Sequence, residues 1–89
     1  MSLGRIEFDP AKSRLNREKH GRGLDEFHGF DEEPVVIADS RAEYGEDRFR
    51  AFGRIEGIGY MIVYTARGER VRLISFRRAR EKEIQRYER

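Results

Sequence analysis

The chain has 89 residues, 40% of them charged and 37% hydrophobic, with a formal net charge of +2 and no cysteine. Such a length makes one domain, spanning 1–89, with a small core, and the absent cysteine excludes disulfide frameworks, thiolate metal sites and cysteine nucleophiles. No apolar run approaches a membrane span or a signal-peptide core, so a cytoplasmic location without membrane partners is expected; Met1-Ser2-Leu3 are compatible with a vector-derived leader and carry no weight.

The apolar–polar alternation of Arg5 to Phe8 predicts an edge strand. Asp9-Pro10 then supplies an N-cap and a proline at the first helical position, and Gly21 a left-handed stop, which predicts a helix between them. Leu24, Phe27 and Phe30, each three residues apart, predict a second short helix that cannot continue through Asp31-Glu32-Glu33-Pro34. Strands are predicted from Val35 to Ala38, Arg48 to Ile55, Tyr60 to Ala66 and Val71 to Phe76, the last three joined by turn-like Glu56-Gly57-Ile58-Gly59 and Arg67-Gly68-Glu69-Arg70. From Ala79 to Arg89 helix formers dominate, with Ala79 or Arg80, Ile84 and Tyr87 on one stripe. The fold class is α+β, helices packed on an antiparallel meander and a helix at the C-terminus.

Charge is segregated along this order. Residues 1–24 net +3, residues 25–47 net −8 and residues 48–89 net +7, and 16 of the 19 cations are arginine. Arginine engages phosphate bidentately and stacks on bases, so the second half suits a polyanion, although a highly charged small domain is also simply well solvated.

Pairing Ile55 with Tyr60 and Thr65 with Arg72 sorts the strands into two faces. Phe49, Ala51, Ile55, Tyr60, Ile62, Tyr64, Val71 and Leu73 form the side expected to pack on helices. Arg48, Arg50, Arg54, Arg67, Arg70, Arg72 and Arg78 surround a floor of Phe52, Met61, Val63, Ile74 and Phe76 on the other. Arginines over an apolar floor describe an RNA groove or a protein interface equally well, and a one-residue slip would exchange the faces.

The order of several scattered landmarks carries a resemblance beyond composition. They are Phe8-Asp9 with Lys12 and Asn16, Lys19-His20-Gly21, Phe27 with Phe30-Asp31, Glu46 with Arg48, Gly53, the strand around Val63, Arg72 with Ile74-Ser75, Arg77-Arg78-Ala79, and Glu83 with Tyr87. In this order the chain resembles the BrnT toxin family from Ile6 onward, with Phe8 where the family often has tryptophan and Phe76 where a small residue commonly precedes the arginines. The resemblance implies a RelE-like ribonuclease toxin of a type II toxin–antitoxin system. It implies RNA as substrate, the ribosome as a further candidate partner, and a ribbon–helix–helix antitoxin through which the complex would bind operator DNA.

Cleavage by 2′-hydroxyl attack without a metal or other cofactor needs a base, cations at the phosphate and an acid for the leaving 5′-oxygen. Arginine fills only the cationic role, so Arg77, Arg78, Arg48 and Arg67 are candidate phosphate clamps, while Arg77 and Arg78 also suit simple strand-end solvation. His20 is the candidate proton-transfer group, with Lys19 beside it for RNA binding, although Lys19-His20-Gly21 also reads as a capped helix end. Glu46 is an alternative base in an acidic, turn-like stretch from Glu43 to Asp47. Tyr87 could position RNA or donate a proton, or pack with Ile84; Arg50, Arg67 and Arg72 are candidate RNA-binding residues. His28 carries no motif, and two histidines eight apart without cysteine do not make a zinc site. The competing reading is a non-catalytic nucleic-acid- or protein-binding module that uses the arginine face.

Overall fold

The computed structural model describes residues 5–40 and 45–87. Its elements, in chain order, are β1 (Arg5–Glu7), α1 (Pro10–His20), a 3-10 turn (Leu24–Glu26), β2 (Val35–Ala38), β3 (Phe49–Ile55), β4 (Ile58–Arg67), β5 (Arg70–Arg78) and α2 (Glu81–Tyr87). The five strands form one sheet in the order β1-β5-β4-β3-β2. The architecture is α+β, with β2 to β5 as an antiparallel meander and β1 added parallel to β5 through Arg5↔Arg70 to Glu7↔Arg72. The sheet is therefore mixed rather than purely antiparallel, because α1 intervenes between β1 and the meander.

Helix α1 begins and ends on the residues that predict it. The Asp9 carboxylate accepts from the Ala11 amide at 2.8 Å, and Gly21 adopts φ 85° while its amide donates to the Arg17 carbonyl. The second predicted helix is reduced to one 3-10 turn. Phe27 and Phe30 owe their spacing to an edge-to-face ring contact at 5.0 Å rather than to a helical stripe, and Gly29, at φ 115°, turns the chain between them.

The β3–β4 turn is tighter than expected, since Ile55 pairs with Ile58 and Gly53 with Tyr60. Glu56 and Gly57 both take positive φ, 51° and 81°, the requirement of a two-residue type I′ hairpin. The shift is two residues, so the faces assigned to β3 and β4 survive. Thr65 does pair with Arg72, but a bulge follows: Tyr64 pairs with Leu73 and Val63 with Ser75, leaving Ile74 as the extra residue.

This bulge corrects the face assignment of the end of β5. Phe76 falls opposite Ile62 and joins Leu24, Phe27, Ala51, Tyr64, Val71 and Leu73 in the larger core, touching Phe27 and Tyr60 edge-on or tilted. Arg77 falls opposite Met61 on the second face, and Arg78 falls opposite Tyr60 on the first. The floor of the second face is not open throughout either. Phe52, Met61, Val63, Ile37 and Ile74 pack with Ala79, Ile84 and Tyr87, so α2 closes one end of it. Ile84 is fully buried over Gly59, where a Cβ would lie 3.2 Å from the isoleucine side chain. The predicted helix thus starts at Glu81 with Ala79 as a packed lead-in; its last residues, 88 and 89, lie outside the described residues.

Candidate functional site

Strand β1 covers β5 only from Arg70 to Arg72, which exposes the remaining edge of β5 to another partner. That partner is α1. Its buried side chains are polar, Ser13 and Asn16, and its leucine, Leu15, is 63% exposed. Asn16 docks the helix as a strand would: its Nδ2 donates to the Phe76 and Arg22 carbonyls at 2.7 Å each, and its Oδ1 accepts from the Phe76 amide at 3.2 Å. Ser13 and Arg17 fasten the same helix to the 3-10 turn through Asp25.

The docking creates a hollow of ≈ 340 Å³ between α1 and the bulged part of β5, lined by Lys12, Leu15, Asn16, Lys19, His20, Ile74 and Ser75. Three basic side chains thus share one concavity. Lys12, Asn16, Lys19 and His20 follow the i, i+4, i+7, i+8 stripe of one helix face. Burial lowers the pKa of His20 below the usual imidazole value, and the positive charges of Lys19 and then Arg77 push in the same direction. His20 is accordingly poised to be neutral near pH 7, the form that can accept a proton.

Arg77 is held rather than loose. Its Nη1 and Nη2 each donate at 3.0 Å to one oxygen of Glu83 on α2, and Nη1 also donates to the Arg78 carbonyl. The Arg77 guanidinium, through this forked hydrogen bond, is the first cause of the lowered pKa of Glu83. With Arg80, Lys82, Glu83 and Arg86 it lines a second concavity of ≈ 390 Å³. Basic concavities therefore lie on both sides of this part of β5, one against α1 and one against α2, linked by the charge of Arg77 acting on His20, and together they make up a basic strip.

The other candidate residues fall elsewhere. Arg78, exposed and on the opposite face, does not form a joint clamp with Arg77, because neighbouring strand residues point to opposite sides. Arg48 stands one residue beyond the Phe49↔Tyr64 pair, in the row of Thr65 and Arg72, whereas Arg77 shares the row of Met61. Four residues of β4 separate those rows, about 13 Å at strand rise. Glu46 lies 3.7 Å from both Arg48 and Arg67, so it bridges two cations; Glu43, at the other end of its stretch, is outside the described residues. Arg50 lies 3.9 Å from the buried carboxylate of Asp39 and 5.8 Å over the Phe52 ring. Tyr87 stacks on Phe52 at 4.4 Å, which makes it part of the smaller core. His28 is on the surface.

Lys12, Asn16, Ser75 and Glu83 appear among the sequence landmarks without a site role, yet they line or hold the basic strip. The helical stripe of Lys12, Asn16, Lys19 and His20 was the available signal. Glu83 had none, since its pairing with Arg77 depends on where α2 lands.

Comparison with known families adds a decisive observation. The family described as ribonuclease toxin, BrnT, of type II toxin–antitoxin system matches residues 8–83, from the N-cap region of α1 to the Glu83 that grips Arg77. The chain belongs to the BrnT toxin family. No curated protein matches the chain significantly. As a BrnT toxin it is one half of a toxin–antitoxin pair, and the basic strip belongs to a protein whose family is described as a ribonuclease.

Proposed function

We propose that the chain is an endoribonuclease toxin on a RelE-like arrangement, cleaving RNA in the cytoplasm by attack of a 2′-hydroxyl on the adjacent phosphate. The observation that carries this reading is His20, with its lowered pKa, set among Lys12 and Lys19 and under the charge of Arg77 in a family of ribonuclease toxins. A neutral imidazole takes the hydroxyl proton as general base, the new 2′-oxygen–phosphorus bond forms a 2′,3′-cyclic phosphate as the P–O5′ bond breaks, and the departing 5′-oxygen takes its proton from water or from the imidazolium just formed. The Arg77 guanidinium, preset by Glu83, stabilises charge building on the phosphate, and Lys12 and Lys19 hold the neighbouring backbone. Arg48, Arg50, Arg67 and Arg72, on the open part of the second face, track the strand outside the cleaved bond, with Arg78 reaching it from the far side of β5. Tyr87 acts through packing. None of these steps requires a cofactor.

In this reading a ribbon–helix–helix antitoxin neutralises the toxin, and the pair represses its own operon by binding operator DNA through the antitoxin; the ribosome is a further candidate partner. The test is induction of the wild-type chain and an Arg77→Ala variant at equal levels in a bacterial host, with purified RNA incubated in parallel. Arrest and RNA fragments with wild type alone are expected. Unimpaired growth and intact RNA with soluble wild-type protein would instead favour a binding module that uses the arginine face.

A further inference from the structure

The two edges of the sheet are treated differently. At one edge β1 is only three residues long and carries Arg5 and Glu7, and beyond it Asn16 closes the exposed backbone of β5. Charge, shortness and a covering element are the usual protections against unwanted strand pairing. At the other edge β2 reads Val35-Val36-Ile37-Ala38, without a charge, and Val36 is 44% exposed. Among the described residues no strand or helix covers its outer side.

The register shows which groups are offered. The Asp39 amide donates to the Arg48 carbonyl at 2.8 Å, and β2 pairs with β3 as Ile37↔Arg50 and Val35↔Phe52. In an antiparallel ladder the bonded pairs alternate, so Val35, Ile37 and Asp39 face β3. The amides and carbonyls of Val36 and Ala38 therefore face outward, where no described group hydrogen-bonds to them.

Charge selects the occupant. Exposed Asp31, Glu32 and Glu33 precede this strand, exposed Glu46 and Asp47 follow it, and residues 25–47 together net −8. A second copy pairing through β2 would bring two such segments together and meet repulsion. A basic extended segment would meet attraction.

We propose that the outer edge of β2 is a strand-addition site for an extended, Lys- or Arg-flanked apolar segment of the antitoxin. The added strand hydrogen-bonds to Val36 and Ala38, packs an apolar side chain on Val36, and places its basic flanks against Glu32 and Glu33. Only the partner's identity rests on family membership; the edge, its register and its charge stand independently of the ribonuclease reading. Binding rather than cleavage is the readout, so a catalytically inactive toxin would leave the test intact.

The experiment measures residue-resolved amide exchange of the toxin alone and with the antitoxin encoded beside it, then affinity for a Val36→Pro variant. Proline removes only the outward donor at that position, which edge strands tolerate. Protection of the Val36 and Ala38 amides on complex formation is expected, with at least tenfold weaker binding by Val36→Pro at an unchanged melting temperature. Glu32→Lys should also weaken the complex, more at low salt than at high. Should Val36→Pro fail to fold, the exchange data and Glu32→Lys decide the matter. Unchanged exchange at both amides in the complex, or wild-type affinity of the folded Val36→Pro variant, would overturn the proposal. So would a free toxin that is already dimeric with both amides protected.

Discussion

His20 illustrates how a common residue becomes chemically distinct through placement. At a helix end a protonated imidazole would complement the dipole, but burial, Lys19 and Arg77 lower its pKa instead. The sign of the consequence is definite: a base that must be neutral gains activity as pH rises through its pKa. The rising limb of kcat/KM for RNA cleavage should therefore have its midpoint below about 6.5, the ordinary imidazole value. His20→Ala should remove that limb and lower the rate by roughly 10²–10⁴-fold. A limb that stays in place in His20→Ala would assign it to another group. Arg77 makes a matching case. Because Glu83 holds its guanidinium in a bidentate grip, Arg77→Lys should fail to restore cleavage, since an ammonium lacks the planar fork; equal rates for wild type and Arg77→Lys would refute a positioned guanidinium.

At the scale of elements, α1 is anchored by polarity rather than by an apolar stripe. Asn16 satisfies both backbone groups of Phe76, so Asn16→Ala strands a buried donor and acceptor. A loss of about 1–3 kcal/mol is expected, measured by urea denaturation, together with loosening of the hollow that holds His20. Helix α2 is the reverse case, anchored by Ile84, with Tyr87 stacked on Phe52. Ile84→Ala should destabilise the fold by about 2–5 kcal/mol and release Glu83 from Arg77, so that cleavage falls even at temperatures where the sheet stays folded. Retention of full activity in that variant would show that α2 does not position Arg77.

Over the whole molecule, charge is arranged by region. In the proposed function the basic strip and the arginine rows serve a polyanion, whereas the acidic stretch frames the opposite edge of the sheet. RNA affinity should fall steeply with salt, each phosphate contact contributing about 0.7 to the log–log slope on single strands. Replacing Arg50 and Arg72 by alanine should reduce the slope by about 1–1.5 while leaving the pH profile of cleavage unchanged. An unaltered slope would remove the arginine rows from the RNA path.

Local rules sufficed for much of this protein. Asp9-Pro10 and Gly21 bound α1 because capping and proline geometry act within one turn of the chain. The alternation of β3 and β4 assigned their faces correctly even though the turn was misjudged by two residues, because a side-chain period of two forgives an even shift. The family landmarks were likewise present in the residues themselves, and the match over residues 8–83 bears out the family resemblance that they carry. What required the tertiary structure were the events that depend on long-range pairing. The bulge at Ile74 moved Phe76 into the larger core and placed Arg77 on the second face, a one-residue shift that no local pattern signals. The parallel seat of β1, the closing of the second face by α2 and the Glu83–Arg77 grip likewise join residues distant in sequence or turned toward each other only by packing. In these cases the outcome follows from which surfaces remain uncovered once the sheet has formed, and that is a property of the assembled chain.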